Sequence, residues 1–108
     1  TSDQTFALSY LMASAIRAAR GQRPSIALFA LAGYSCAEFR SHIEKQFLPG
    51  MSWDNSKQWD IDHIIPVSFF GDYRAGDEAF SACWALANLR PMWSKDNRSK
   101  GTKRTSLL

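Results

Sequence analysis

Cysteine is scarce in this chain and none of it is paired. Cys36 and Cys83 are the two cysteines among 108 residues, and neither belongs to a CxxC pair. Neither the spacing of a zinc knuckle nor a disulfide framework is present. No structural zinc is expected, and both residues read as buried thiols in a reducing compartment. Long apolar runs are missing as well: nothing approaches the roughly 18 uncharged residues of a membrane span, and the first residues lack the charged-then-apolar order of a secretory signal. The chain therefore reads as soluble and cytoplasmic. There is no internal repeat and no low-complexity segment. This length suffices for one domain with a modest core and is too short for two.

Charge of one sign is also in short supply along most of the chain. The formal balance is +3, but the first 94 residues hold 8 Lys and Arg against 9 Asp and Glu. From Lys95 onward Lys95, Arg98, Lys100, Lys103 and Arg104 face the single acid Asp96. A basic end of that kind suits a phosphate backbone. It equally suits a solvated terminus, with residues 102–108 as a flexible tail.

The first half, residues 1–50, reads as helical. Leu8, Leu11, Met12, Ala15, Ile16 and Ala19 recur at the i, i+3, i+4, i+7 interval of an amphipathic helix over Asp3 to Arg20, which Gly21 ends. Pro24 suits the first position of a short second helix through Ile26, Leu28, Phe29 and Leu31, closed by Gly33. Ser35 and Glu38 form an S-x-x-E capping box before a third helix. That helix places Phe39, Ile43 and Phe47 on one face and stops at Pro49 and Gly50. His42 then sits on its surface.

The second half changes character. Ile61, His63 and Ile65 alternate with Asp60, Asp62 and Ile64, which predicts a strand ending at Pro66. A polar loop spans Gly71 to Gly76, and Asp77 caps a short helix whose Phe80, Cys83, Trp84 and Ala87 face the core. A second strand over Asn88 to Trp93 follows. Ser94 is the expected N-cap of a final helix over Lys95 to Lys100, with Gly101 as its stop. The fold class is α+β. Trp53, Trp59, Trp84 and Trp93 could stack on bases, but most are expected in the core, with one facing DNA.

Chemistry concentrates in two stretches, WDIDHIIPVSFF (Trp59 to Phe70) and NLRPMWSKDNRSK (Asn88 to Lys100). Asp62 is a hard oxygen ligand for a divalent cation, and His63 beside it can take a proton from water near neutral pH. A regular strand sends the two to opposite faces, so the strand must bend or end where they sit if both are to reach one phosphate. These blocks, preceded by SCAEFRSHIEKQFLPGMSWDN, together resemble the small HNH endonucleases of bacteriophage and prophage genomes, which have a ββα-metal fold. The resemblance covers about two thirds of the chain, from Gly33 to Lys100, and Asn88 and Asn97 lie at the interval of the H-N-N variant.

That resemblance implies a single domain over residues 1–108 with its ββα-metal core at 58–101. It also implies a metal-dependent DNA endonuclease, working in a bacterial or phage-infected cell. Asp62 and Asn97 would hold one divalent ion, magnesium or manganese, with water and phosphate oxygens completing the shell. His63 would be the general base, and Asn88 would brace the loop and hold the two strands together. Products would carry a 5′-phosphate and a 3′-hydroxyl. Arg90, Lys95, Arg98, Lys100, Lys103 and Arg104 would contact double-stranded DNA through its phosphates, with Asn97 in the first turn of the last helix. Asp60, where many relatives carry His or another residue, could add a second carboxylate near the metal or point to solvent, and solvent is the expectation.

Two other classes stay open. Leu28 to Ile43 loosely resembles a helix-turn-helix with Gly33 in its turn, although Phe29 stands where that motif wants a small residue. That pattern implies a non-catalytic DNA-binding module. A bacteriocin-type nuclease effector with a dedicated inhibitor protein shares the expected fold, but such toxins usually have a more basic catalytic domain and a final His.

Overall fold

A computed structural model describes residues 2–100. The expected helix stop at Gly101 and the expected phosphate contacts Lys103 and Arg104 lie outside the described residues.

The long first helix, α1 (Asp3–Arg20), forms where the apolar periodicity places it, with Ser2 at its N-cap accepting a hydrogen bond from the Thr5 N–H. Its inward stripe is Met12, Ala15, Ile16 and Ala19. Thr5 lies on the same side and ties the helix to a distant loop: its hydroxyl donates to the Tyr73 carbonyl at 3.0 Å and accepts from the Tyr73 N–H at 2.8 Å. At the other end Arg20 donates to the carbonyls of Ser56 and Trp59, at 2.7 and 2.8 Å, with its guanidinium 4.5 Å above the Trp59 ring. Those bonds anchor the helix to the start of the first strand.

The short second helix takes another form. Ser25, not Pro24, sits at its start, with its hydroxyl accepting from the Leu28 N–H, and Leu28–Ala32 winds as a π-helical turn. Gly33 ends the turn in the left-handed region (φ 83°), where a Cβ would be strained. The third helix, α2 (Cys36–Glu44), carries the expected capping box, Ser35 and Glu38 each accepting from the other's backbone N–H. It is shorter than its apolar spacing suggested. Phe47 lies beyond it, packed edge-on against Trp53 and Trp59 with ring centres 5.2 Å away.

A two-stranded antiparallel sheet follows, pairing β1 (Trp59–His63) with a later strand, Trp59 opposite Trp93 and His63 opposite Leu89. The first strand ends at His63, short of Pro66. Asn88 takes over the backbone there: its carbonyl accepts from the Ile64 N–H and its side chain from the Ile65 N–H. A second short helix, α3 (Glu78–Trp84), buries Phe80, Cys83 and Trp84. Asp77 stands at its N-cap position, but its carboxylate reaches back to the Arg74 N–H. The partner strand β2 (Leu89–Trp93) runs directly into α4 (Ser94–Lys100).

The sheet divides the molecule. Trp59 and Leu89, on its inner face, join Met12, Leu28, Phe39, Ile43, Phe80 and Trp84 in one apolar core built from both halves of the sequence. Asp60, Asp62 and Arg90 alternate to the outer face, under α4. The result is an α+β fold in which no helix among the described residues is long and apolar enough to cross a membrane.

Candidate functional site

Asp62, His63, Asn97 and Lys100 line one open cavity of about 210 Å³, with Ile61, Pro66 and Val67. The end of β1 supplies the first two residues and one side of α4 the others. Asn97 and Lys100 are three positions apart and so share that side. The short strand and the hydrogen bonds of Asn88 produce this juxtaposition.

Asn88 is 8% exposed and fully engaged. Its Oδ1 accepts from the Ile65 N–H at 2.8 Å, while its Nδ2 donates to the carbonyls of Ile65 (3.2 Å) and Cys83 (2.9 Å). One carboxamide thus joins the chain leaving β1 to the end of α3. It is expected to brace the loop and hold the two strands together; its side-chain bonds go to Ile65 and to the end of α3.

Asp62 is a nearly enclosed carboxylate, 5% exposed, with a cation on each oxygen. Arg90 Nε donates to Oδ2 and Lys100 Nζ to Oδ1, both at 2.9 Å. Lys100 also donates to the His63 carbonyl at 2.7 Å. Of the residues expected to contact phosphates, Arg90 and Lys100 are thus turned inward onto the acid, and Lys95 and Arg98 are exposed on the outer side of α4.

Asp60 departs from expectation. It is half-buried and faces α4: its Oδ1 accepts from the Ser94 hydroxyl at 3.0 Å and its Oδ2 from Asn97 Nδ2 at 3.1 Å. Ser94 is accordingly the first residue of α4, and its hydroxyl goes to Asp60. The physical reason is alternation: a residue two before Asp62 shares its face, and that face is covered by α4. The bond also fixes the Asn97 amide so that its nitrogen is used and its Oδ1 remains to accept or ligate.

His63 points to the inner face, opposite Asp62. Its ring meets Trp84 edge-on with centres 4.5 Å apart, and its buried Nε2 has no hydrogen-bond partner among the described residues. Burial against the indole pushes its pKa down to about 4; Asp62 acts in the opposite sense and Lys100 in the same sense. The imidazole is therefore neutral at pH 7, a state that can accept a proton but is a weaker base than a free one. A second small hollow, lined by Ala13, Ile16, Arg17, Arg20 and Trp84, reaches His63 from the α1 side. The expectation that the strand must bend or end where acid and imidazole sit is half met: β1 ends at His63, but the two side chains still point to opposite faces.

The donor set suits a hard divalent cation. The carboxylate and a backbone carbonyl already hold a full positive charge, the Lys100 ammonium, beside a carboxamide whose oxygen is spare. Among the described residues no group of three or more His, Cys, Asp or Glu side chains is gathered as a metal cage. Any metal here would take the rest of its shell from water and substrate. Elsewhere, His42 is less superficial than expected, its Nε2 lying 3.0 Å from the Leu89 carbonyl and 2.9 Å from Gln46 Nε2. Trp59 and Trp84 are core, as expected, while Trp53 and Trp93 are half-buried.

Sequence reasoning missed the partnership of Asp60 with Asn97, although the two-residue spacing to Asp62 carried the signal. It also missed Trp84 as the wall behind His63, for which no sequence signal exists. No family model matches the chain, and no solved structure matches it. A stretch of 66 residues, 60% of the chain, is 39% identical to the uncharacterized protein L426 of Acanthamoeba polyphaga mimivirus, and the match spans 28% of that protein's length.

Proposed function

We propose that this protein is a metal-dependent endonuclease that hydrolyses phosphodiester bonds in double-stranded DNA with one divalent cation, as its resemblance to HNH nucleases suggests. The observation that carries the reading is the meeting of Asp62, Asn97 and Lys100 around one open cavity that His63 also lines, its ring turned toward Trp84, behind a loop braced by Asn88. Asp62 and Asn97 would hold magnesium or manganese. When bound, that ion would offset the charge that builds on the phosphate and the departing oxygen. Arg90 keeps the carboxylate oriented through Oδ2. His63 takes the proton of the attacking water once its ring leaves Trp84, the O3′–P bond breaks, and the products carry a 5′-phosphate and a 3′-hydroxyl. Lys95 and Arg98 steer the backbone toward the cavity by charge.

A helix-turn-helix module is less well supported, because its first helix would fall where Leu28–Ala32 winds as a π-helical turn, with Phe29 67% exposed.

The test is supercoiled plasmid incubated with the protein and magnesium, manganese or EDTA. Nicked or linear product is expected with metal and none with EDTA, and His63→Ala should lower the rate by about 100-fold or more. Plasmid left intact by folded wild-type protein under both metals would remove the nuclease reading.

A further inference from the structure

We propose that Lys100 is an exchangeable stand-in for the divalent cation: it holds the Asp62 seat in the free protein, yields it on metal binding, and then contacts the substrate phosphate. The inference rests on the one-metal reading above.

Lys100 is an odd residue to enclose. Its side chain is 7% exposed although it stands in the last turn of a surface helix. A buried ammonium persists only with charged or strongly polar partners. Those partners are Asp62 Oδ1 and the His63 carbonyl, both hard oxygens, on residues that line a cavity together with Asn97. This is the donor chemistry a magnesium-type ion requires. An ammonium and a divalent cation cannot both sit on Oδ1, since they compete for the same lone pairs and repel one another at contact distance.

The two cations on Asp62 are not equivalent. Arg90 uses Oδ2, so it can keep its bond to Asp62 while Oδ1 changes partner. Lys100 uses Oδ1 and must leave. Its four-carbon stem allows that without moving α4, and its place three residues after Asn97 keeps it on the cavity side. A released ammonium there faces whatever anion completes the metal shell. Metal and phosphate should therefore bind cooperatively, each reducing what the other must displace.

The experiment measures Mn²⁺ binding by electron paramagnetic resonance of the free ion, in a His63→Ala background so that DNA stays intact. Lys100→Met is compared with Lys95→Met and Arg98→Met, each with and without a short duplex. Without DNA, Lys100→Met should bind Mn²⁺ about tenfold tighter than its parent, a size typical of groups that act on a metal through its ligand. The two surface variants remove equal charge and should shift affinity less than about threefold. Duplex should tighten Mn²⁺ binding more in the parent than in Lys100→Met. Equal affinity in parent and Lys100→Met, or equal gains from all three variants, would overturn the exchange while leaving the one-metal reading intact. Absence of Mn²⁺ binding in every form, with or without DNA, would overturn both. A second measurement needs no variant: the Lys100 side-chain ammonium resonance of wild-type protein should move on Mg²⁺ addition, and a resonance that stays fixed while Mg²⁺ binds refutes the exchange.

Discussion

His63 carries the sharpest conflict between packing and chemistry. Its imidazole is pressed on Trp84 with Nε2 enclosed, and burial brings its pKa to about 4. The unfolded chain takes up a proton near pH 6.5 and the folded one does not until about pH 4. Between those values the unfolded state binds more protons, so stability rises with pH. The stabilising contribution is whole above pH 6.5 and is lost as pH falls through 4. Urea unfolding at pH 7 and pH 5 should show wild type losing about 2 kcal/mol more than His63→Gln over that interval. Equal losses would mean the ring is not held neutral by burial. Cys83, also fully buried, has its thiol pushed up to about 11 and should resist alkylation at pH 8 in the native state. Labelling at the rate of a free thiol would contradict that.

At the scale of elements, the junction after β1 matters most. A five-residue strand has little pairing of its own, and the chain beyond it is held by one carboxamide. Asn88→Ala leaves the Ile65 N–H and the carbonyls of Ile65 and Cys83 without that partner. A cost of about 2–4 kcal/mol in unfolding free energy is expected, with faster amide exchange at Ile65. A cost under about 0.5 kcal/mol would show that water replaces the side chain freely. The start of α2, by contrast, was readable. Ser35 and Glu38 cap α2 through a local pattern of four residues, and local patterns need no knowledge of the rest of the fold. The π-helical turn at Leu28–Ala32 was not readable, because an apolar run of that length fits either winding until its neighbours select one.

Across the whole molecule, the helical first half and the strand-bearing second half are one structure. Met12, Phe39 and Ile43 from the first half share a core with Trp59, Phe80 and Leu89 from the second. Arg20 fastens α1 to the strand that bears Asp62 and His63. The division into a helical part at 1–50 and a metal-site part at 58–101 describes the sequence, whereas the core ignores it. Arg20→Met should destabilise the protein by about 2–3 kcal/mol, through two charged hydrogen bonds and the Trp59 contact. Fluorescence and circular dichroism should still report one shared transition. Two separated transitions would mean that the halves fold independently.

The sequence by itself determined the α+β class, the order of the main helices and strands, and the capping of α2, and it marked the acids, imidazole and carboxamides to look for. All of these depend on neighbours within a few positions or on side-chain identity. Only the tertiary structure decided which way those residues face. It turned Asp60 toward Asn97 under α4, placed Lys100 on Asp62 and set His63 against Trp84, because such pairings join residues 21 to 38 positions apart. No local periodicity encodes which of several polar groups will meet when a two-stranded sheet is covered by a helix on one face and a core on the other.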